Sequence, residues 1–192
     1  MAEDSYLISW LQESGAVRKG HFRLSSGLHS PAYVQCALLL EDPNRARHIG
    51  ADLAERLSEF RPDSVLSPAL GGVVIGYEVA AALGVPFRFV ERVDGRMHLR
   101  RGFALRQDER IVVVEDVVTT GKSTLEVATV AGDLGAEVCT IGSILDRTGG
   151  ESPFGVPYIS LLDLDLPTFE PSECPLCAAG EELDNPGSRP IP

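Results

Sequence analysis

Nowhere in the 192 residues do eighteen apolar side chains run together, so the sequence offers no candidate for a membrane-spanning helix. A secretory signal is missing as well. Glu3 and Asp4 precede Tyr6-Leu7-Ile8, where a signal has a basic start and an apolar core, and a cytoplasmic chain with no membrane partner is expected. Basic residues are few: 17 Lys and Arg face 28 Asp and Glu, and a net charge of −11 argues against nucleic acid as a partner. Cysteine is sparse. The four, at 36, 139, 174 and 177, make no disulfide framework for a chain of this size, in keeping with a reducing compartment. Cys174-Pro175-Leu176-Cys177 lacks the second Cys-x-x-Cys of a full zinc site, and Cys36 and Cys139 both fall in expected strands. Two plain thiols are the preferred reading. Zn2+ on Cys174 and Cys177 would need a histidine to complete the site, or sharing across a dimer.

What is present concentrates in residues 111–124, Ile-Val-Val-Val-Glu-Asp-Val-Val-Thr-Thr-Gly-Lys-Ser-Thr. The β-branched start suits a buried strand, and Leu125, Ala128, Val130, Ala131 and Leu134 suit a packed helix. Two acids therefore end a strand, and a Thr/Gly/Ser loop opens a helix whose unpaired N–H groups and dipole favour an anion such as phosphate. Glu115 and Asp116 would repel that phosphate, so they call for hydroxyls or a metal ion beside it. A phosphorylated sugar is implied. Gly121-Lys122-Ser123 mimics the end of a Walker A loop, but Asp116 stands where that motif needs glycine. A dinucleotide fingerprint is missing both here and at Gly71-Gly72-Val73-Val74-Ile75-Gly76. An ordinary capped helix is the plain alternative; two carboxylates and four hydroxyls in so short a stretch exceed what a cap requires.

Along the chain, helices are expected over residues 5–13, from Asp42-Pro43 through Phe60, and over 73–83. Strands are expected at 21–24, 32–36, 64–66, 86–90, 111–114, 138–145 and 156–162, with a short one at 103–105. The alternation predicts one α/β domain with a doubly wound, mostly parallel sheet and helices on both faces. Residues 1–40 form an N-terminal segment, 41–166 the core, and 167–192 a Pro/Gly-rich tail carrying the Cys-x-x-Cys pair. Loops at the C-terminal strand ends gather at one edge, including residues 67–72, 91–101, 115–124 and 146–147. Within 91–101, Glu-Arg-Val-Asp-Gly-Arg-Met-His-Leu-Arg-Arg is a basic island able to receive a polyanion.

Residues 111–124 resemble the phosphoribosyl pyrophosphate (PRPP) loop of the type I phosphoribosyltransferases: a hydrophobic strand, two acids, two aliphatics and a Thr/Gly-rich turn. The resemblance implies PRPP binding by Glu115 and Asp116 at the ribose hydroxyls. Thr119, Thr120, Gly121, Lys122 and Ser123 then hold the 5′-phosphate, with Val117 and Val118 between. Ser67-Pro68-Ala69-Leu70-Gly71-Gly72 is similar to the family's pyrophosphate loop and implies that Ala69, Leu70 and Gly71 face the diphosphate. Residues 20–33 resemble the N-terminal hood of orotate phosphoribosyltransferases, an aromatic strand and an L-x-S-G-x-x-S-P turn. Leu145-Asp146-Arg147 resembles that family's D-R pair. These two matches imply that Ser26, Tyr33, Thr119 and Arg147 bind orotate, Arg147 as a planar fork on the carboxylate.

The implied reaction transfers the 5-phosphoribosyl group from PRPP to orotate, giving orotidine 5′-phosphate and diphosphate in pyrimidine (UMP) biosynthesis. The alternatives are a purine or uracil phosphoribosyltransferase, or a non-catalytic PRPP-sensing regulator on the same fold. Three departures stand out. Ser25 replaces the lysine of L-K-S-G, Gly71 replaces a lysine in the pyrophosphate loop, and the flexible loop carries arginines and His98 in place of a lysine-histidine pair. Arg92, Arg96, Arg100 and Arg101 are expected to supply the missing charge, with Arg92, Arg96, His98, Arg100 and Asp116 as catalytic candidates. The family also implies Mg2+ bound with PRPP, with no dedicated protein cage, and a homodimer whose mobile loop, residues 91–101, is shared between active sites.

Overall fold

Short aliphatic runs punctuated by glycine build this protein, and the computed structural model describes residues 4–24 and 26–186 of it. Ser25, the replacement for the family lysine, lies outside the described residues. Two compact units emerge, one from residues 1–39 with 165–192 and the other from 40–164.

The first unit opens with α1 (Asp4–Glu13), which buries Leu7 and Leu11, followed by the antiparallel pair β1 (Val17–Arg23) and β2 (His29–Val34). A short helix, α2 (Cys36–Leu40), carries the chain into the second unit, so Cys36 is helical rather than in a strand.

In the second unit, Asp42 accepts a hydrogen bond from the Asn44 N–H (2.8 Å) and Pro43 takes the first turn of α3 (Pro43–Leu57), as the sequence requires. Then come β3 (Ser64–Pro68), α4 (Gly71–Leu83), β4 (Phe87–Val93), β5 (Arg96–Leu99), β6 (Arg110–Val118), α5 (Lys122–Asp133), β7 (Glu137–Asp146) and β8 (Tyr158–Asp163). The sheet order is β5-β4-β3-β6-β7-β8, parallel throughout except for β5. Alternation along β6 divides the core. Ile111 and Val113 join Leu66, Val90, Val127, Ala131 and Ile141 on the α5 side. On the other side the helices come close: a Cβ on Gly72 of α4 would lie 2.8 Å from the Val114 carbonyl, and one on Gly142 of β7 would meet Leu57 of α3 at 2.8 Å.

The tail returns to the first unit. After α6 (Pro175–Ala178), β9 (Leu183–Asp184) pairs in parallel with β1, and Phe169 bridges to His29.

Four expectations are revised. No strand forms at 103–105. Residues 91–101 are mostly the β4–β5 hairpin, not an irregular loop, because Asp94 and Gly95 both adopt positive φ (49° and 82°), the backbone of a tight two-residue turn. The buried face of α5 is Thr124, Val127 and Ala131, while Leu125 and Leu134 are exposed. Strand β6 runs through the two acids to Val118, because its pairing with β7 continues at Glu115–Ser143 and Val117–Leu145.

At the opposite end of the sheet a single carboxylate ties three strands together. Buried Glu109, just ahead of β6, accepts hydrogen bonds from Ser64 Oγ at the start of β3 (2.7 Å), Arg88 Nη1 of β4 (2.7 Å) and the Arg106 N–H (2.7 Å). Burial alone would raise its pKa; the three donors and the Arg88 charge outweigh it and bring it down to about 2. Because the folded pKa lies below the unfolded one, the stabilisation is complete above about pH 4.5 and is lost as pH falls toward 2. Glu109→Gln should therefore cost on the order of 3 kcal/mol at pH 7, shrinking to nothing near pH 2. Urea denaturation of both proteins across that range measures it; a pH-independent difference would mean that the carboxylate charge is not what holds the strands.

Candidate active site

The sheet's connections diverge at one place. From β3 the chain crosses through α4 to β4 on one side, and from β6 through α5 to β7 on the other, so the neighbours β3 and β6 send their following loops apart. Such a divergence leaves a crevice at the strands' C-terminal ends, where ligands bind in open α/β sheets. Both loops singled out in the sequence open onto that edge.

Their approach is close. A Cβ on Gly71, the first residue of α4, would sit 2.8 Å from Asp116 Oδ1, so only a residue without a side chain lets the β3 loop reach the acid. Ala69 and Leu70 precede Gly71 across a cis peptide bond, with the Leu70 side chain exposed.

The two acids point to opposite sheet faces because they are consecutive in a strand. Glu115 shares the α5 side with Val113 and is buried; Asp116 lies on the α4 side, where it meets Gly71. The Asp116 N–H donates to Glu115 Oε1 (3.2 Å), and the Val117 N–H donates to Asp116 Oδ1 (2.9 Å). Burial pushes the Asp116 carboxyl above its ordinary pKa, although the contact with Glu115 and the Val117 N–H pull it down. A carboxylate held in this way gains when a ligand hydroxyl donates to it.

Past Val118, Thr119 and Thr120 are exposed and Gly121 turns the chain with φ 69° into α5, which has no side-chain N-cap. The helix thus begins with its amide dipoles undischarged by a cap, an arrangement suited to phosphate. Lys122 is exposed and Ser123 half-buried on the first turn. Arg147 follows β7; its N–H donates to the Val118 carbonyl (2.8 Å), which fixes it beside the end of β6. Asp146 accepts from the N–H and hydroxyl of Thr148 (2.7 and 3.2 Å), shaping the turn that carries Arg147.

The basic island does not act as one patch. In the hairpin, Arg92 pairs opposite Met97, which packs on the α5 side, whereas Arg96 and His98 alternate to the other face and are exposed. Arg92 is bound to Glu126 of α5 and donates to the Gly95 carbonyl (2.7 Å), and Arg101 forks onto Glu91 (2.9 and 2.7 Å). Arg92 is thereby held against α5, on the face opposite to Arg96 and His98. Arg100 is exposed as well. Ser26 and Tyr33 belong to the first unit: Ser26 is exposed and its Oγ accepts from the Leu28 N–H at 3.4 Å, while Tyr33 lies against Phe22. Cys174 and Cys177 lie in that unit too.

Sequence reading missed Pro153 and Phe154, which press on Gly121 from the loop before β8, and Glu126, which takes Arg92. Nothing in their local pattern marks them. His21 and His29 fall within residues 20–33, where no local pattern ties them to the Cys-x-x-Cys pair of the tail.

A phosphoribosyl transferase domain matches residues 37–154. The orotate phosphoribosyltransferase of Thermotoga maritima is 49% identical over 179 residues, covering 93% of this chain and 96% of that protein. That of Caldanaerobacter subterraneus is 45% identical over 189 residues, covering 98% of this chain and 100% of that protein. Among solved structures, orotate phosphoribosyltransferase from Aeropyrum pernix superimposes with a TM-score of 0.66 at 31% identity, over 82% of this chain and 93% of that one.

Gly121→Ala tests the loop. A methyl there meets a strained φ and a Cβ position 2.5 Å from Pro153 Cγ and 2.9 Å from the Phe154 ring. The substitution should lower stability by about 2–3 kcal/mol in urea denaturation. A change under about 0.5 kcal/mol would show that the loop relaxes without cost.

Proposed function

The chain belongs to the phosphoribosyltransferase family with the activity of an orotate phosphoribosyltransferase, and from that premise we propose how its residues divide the work. The reaction displaces diphosphate from the anomeric carbon of PRPP by a ring nitrogen of orotate, giving orotidine 5′-phosphate. The observation that carries the residue assignment is the packing of Gly71 against Asp116, which sets the diphosphate loop beside the ribose acids.

Glu115 and Asp116 accept from the ribose hydroxyls, and the amides and hydroxyls of Thr119 through Ser123 take the 5′-phosphate, continuing from Val117 and Val118. Ala69, Leu70 and Gly71 face the leaving diphosphate. Arg147 pairs with the orotate carboxylate, with Thr119 near it; Ser26 and Tyr33 carry the hood's share of the base. Arg96, on the exposed hairpin, and Arg100, just after it, supply cationic groups to the diphosphate as it leaves, His98 supplies a hydrogen-bond donor, and Arg92 holds the hairpin to α5. Catalysis is then mainly positioning and charge stabilisation.

Mg2+ would enter with PRPP, held mainly by substrate oxygens and water rather than by a dedicated protein cage, and would neutralise diphosphate charge. A homodimer is part of the proposal, supported by exposed Val74 and Tyr77 on α4, with the hairpin as the element shared between active sites. A cytoplasmic location is part of the proposal; among the described residues no helix is long and apolar enough to cross a membrane.

Magnesium-dependent diphosphate release from PRPP should occur with orotate and not with uracil, adenine, hypoxanthine or xanthine. Turnover with a purine but not orotate overturns the assignment, and binding without turnover favours a PRPP-sensing regulator. Arg147→Ala should raise the orotate KM by about 10–100-fold, the worth of a charged hydrogen-bond pair, and the PRPP KM far less. Equal effects on both remove Arg147 from the base site.

A further inference from the structure

The half zinc site in the tail is completed inside the same unit. His21 of β1 and His29 of β2 converge with Cys174 and Cys177, and one donor atom from each lies within 4.8 Å of all the others. His21 Nε2 is 2.9 Å from His29 Nδ1 and 3.6 Å from each of the two sulfurs, and Cys177 Sγ is 3.3 Å from His29 Nδ1. Zinc bonds near 2.0–2.1 Å to nitrogen and 2.3 Å to sulfur set tetrahedral N···N and S···N edges of about 3.3 and 3.6 Å. These four distances match those edges to within a few tenths of an ångström.

Hydrogen bonding alone does not account for the convergence. His21 Nδ1 lies 3.0 Å from the Glu181 carbonyl, which can only accept, so Nδ1 carries the hydrogen and neutral His21 turns the Nε2 lone pair inward. Three groups, the His29 nitrogen and both thiols, then crowd one lone pair that serves a single donor well. A cation accepts all four. The Glu181 carbonyl is also the kind of outer partner that orients a metal-bound imidazole. His21, His29 and Cys174 are 3–5% exposed, so three of the four donors are shielded from water.

We propose that His21, His29, Cys174 and Cys177 form a structural Zn2+ site that fastens the C-terminal tail to the N-terminal β-pair. Two nitrogens and two thiolates fill a tetrahedron and leave no position for water or substrate, which makes the role structural. The site closes a long loop, since Cys174 and His21 are 153 residues apart, and it reinforces a β1–β9 pairing of only two residue pairs. It is independent of the transfer reaction, and its test needs no substrate.

Full-length protein, grown with zinc, reduced and desalted, should contain about one zinc per chain by plasma mass spectrometry. The Cys174→Ser/Cys177→Ser double variant should contain none. Titrating the wild type with a mercurial thiol reagent, with a zinc-sensitive dye present, should release the same amount of zinc and keeps the test open if the double variant is insoluble. Wild-type protein holding less than roughly a tenth of an equivalent after incubation with excess zinc chloride overturns the proposal. So does zinc that survives the double substitution or that the mercurial fails to release.

Discussion

The pairing of β3 with β6 is the constraint on which the candidate site depends. Both strands run the same way, and their connections leave in opposite directions, so two glycine-bearing loops face one crevice. Parallel strands fix their neighbours' ends to within a residue. That is how Gly71 and Asp116, 45 positions apart in sequence, come within the distance at which a single Cβ would collide. The two carboxylates follow from the same strand: since β6 continues past them, one turns to α5 and is buried, and the other turns to α4 and meets the β3 loop.

Charge is used differently at the two ends of the sheet. At the strand starts, Glu109 receives three donors, has its pKa drawn down to about 2, and works as a clamp. At the strand ends, Asp116 is half-buried, and its pKa is drawn up by burial despite the Val117 N–H and the contact with Glu115. A clamp needs satisfied charge, whereas a binding group gains from unsatisfied acceptor capacity that the ligand fills. The satisfied carboxylate and the candidate binding group therefore lie at opposite edges of the sheet. The arginines follow the same logic: Arg92 and Arg101 are neutralised by Glu126 and Glu91 and hold the hairpin, while Arg96 and Arg100 remain outward.

The smaller unit faces another physical problem. It is drawn from the two ends of the chain, and a three-stranded sheet with one two-residue strand offers little apolar area to hold them together. Four nitrogen and sulfur donors converge there, and a metal among them would supply through coordination what hydrophobic burial in so small a sheet cannot.

Much of this was legible in the sequence. Residue periodicity and caps gave α3, α4 and the parallel strands, since these are local effects of side-chain shape and backbone donors. The density of acids and hydroxyls in residues 111–124 marked a candidate sugar-phosphate loop, because more polar groups gather there than a helix cap requires. The tertiary structure alone decided how far β6 extends, since a strand ends where its neighbour stops pairing and not where hydrophobicity stops. It also decided which arginines are already neutralised, that Gly71 lies against Asp116, and that two hood histidines meet two tail cysteines. Each of these is a contact between residues far apart in the chain, and a one-dimensional pattern carries no distance between them.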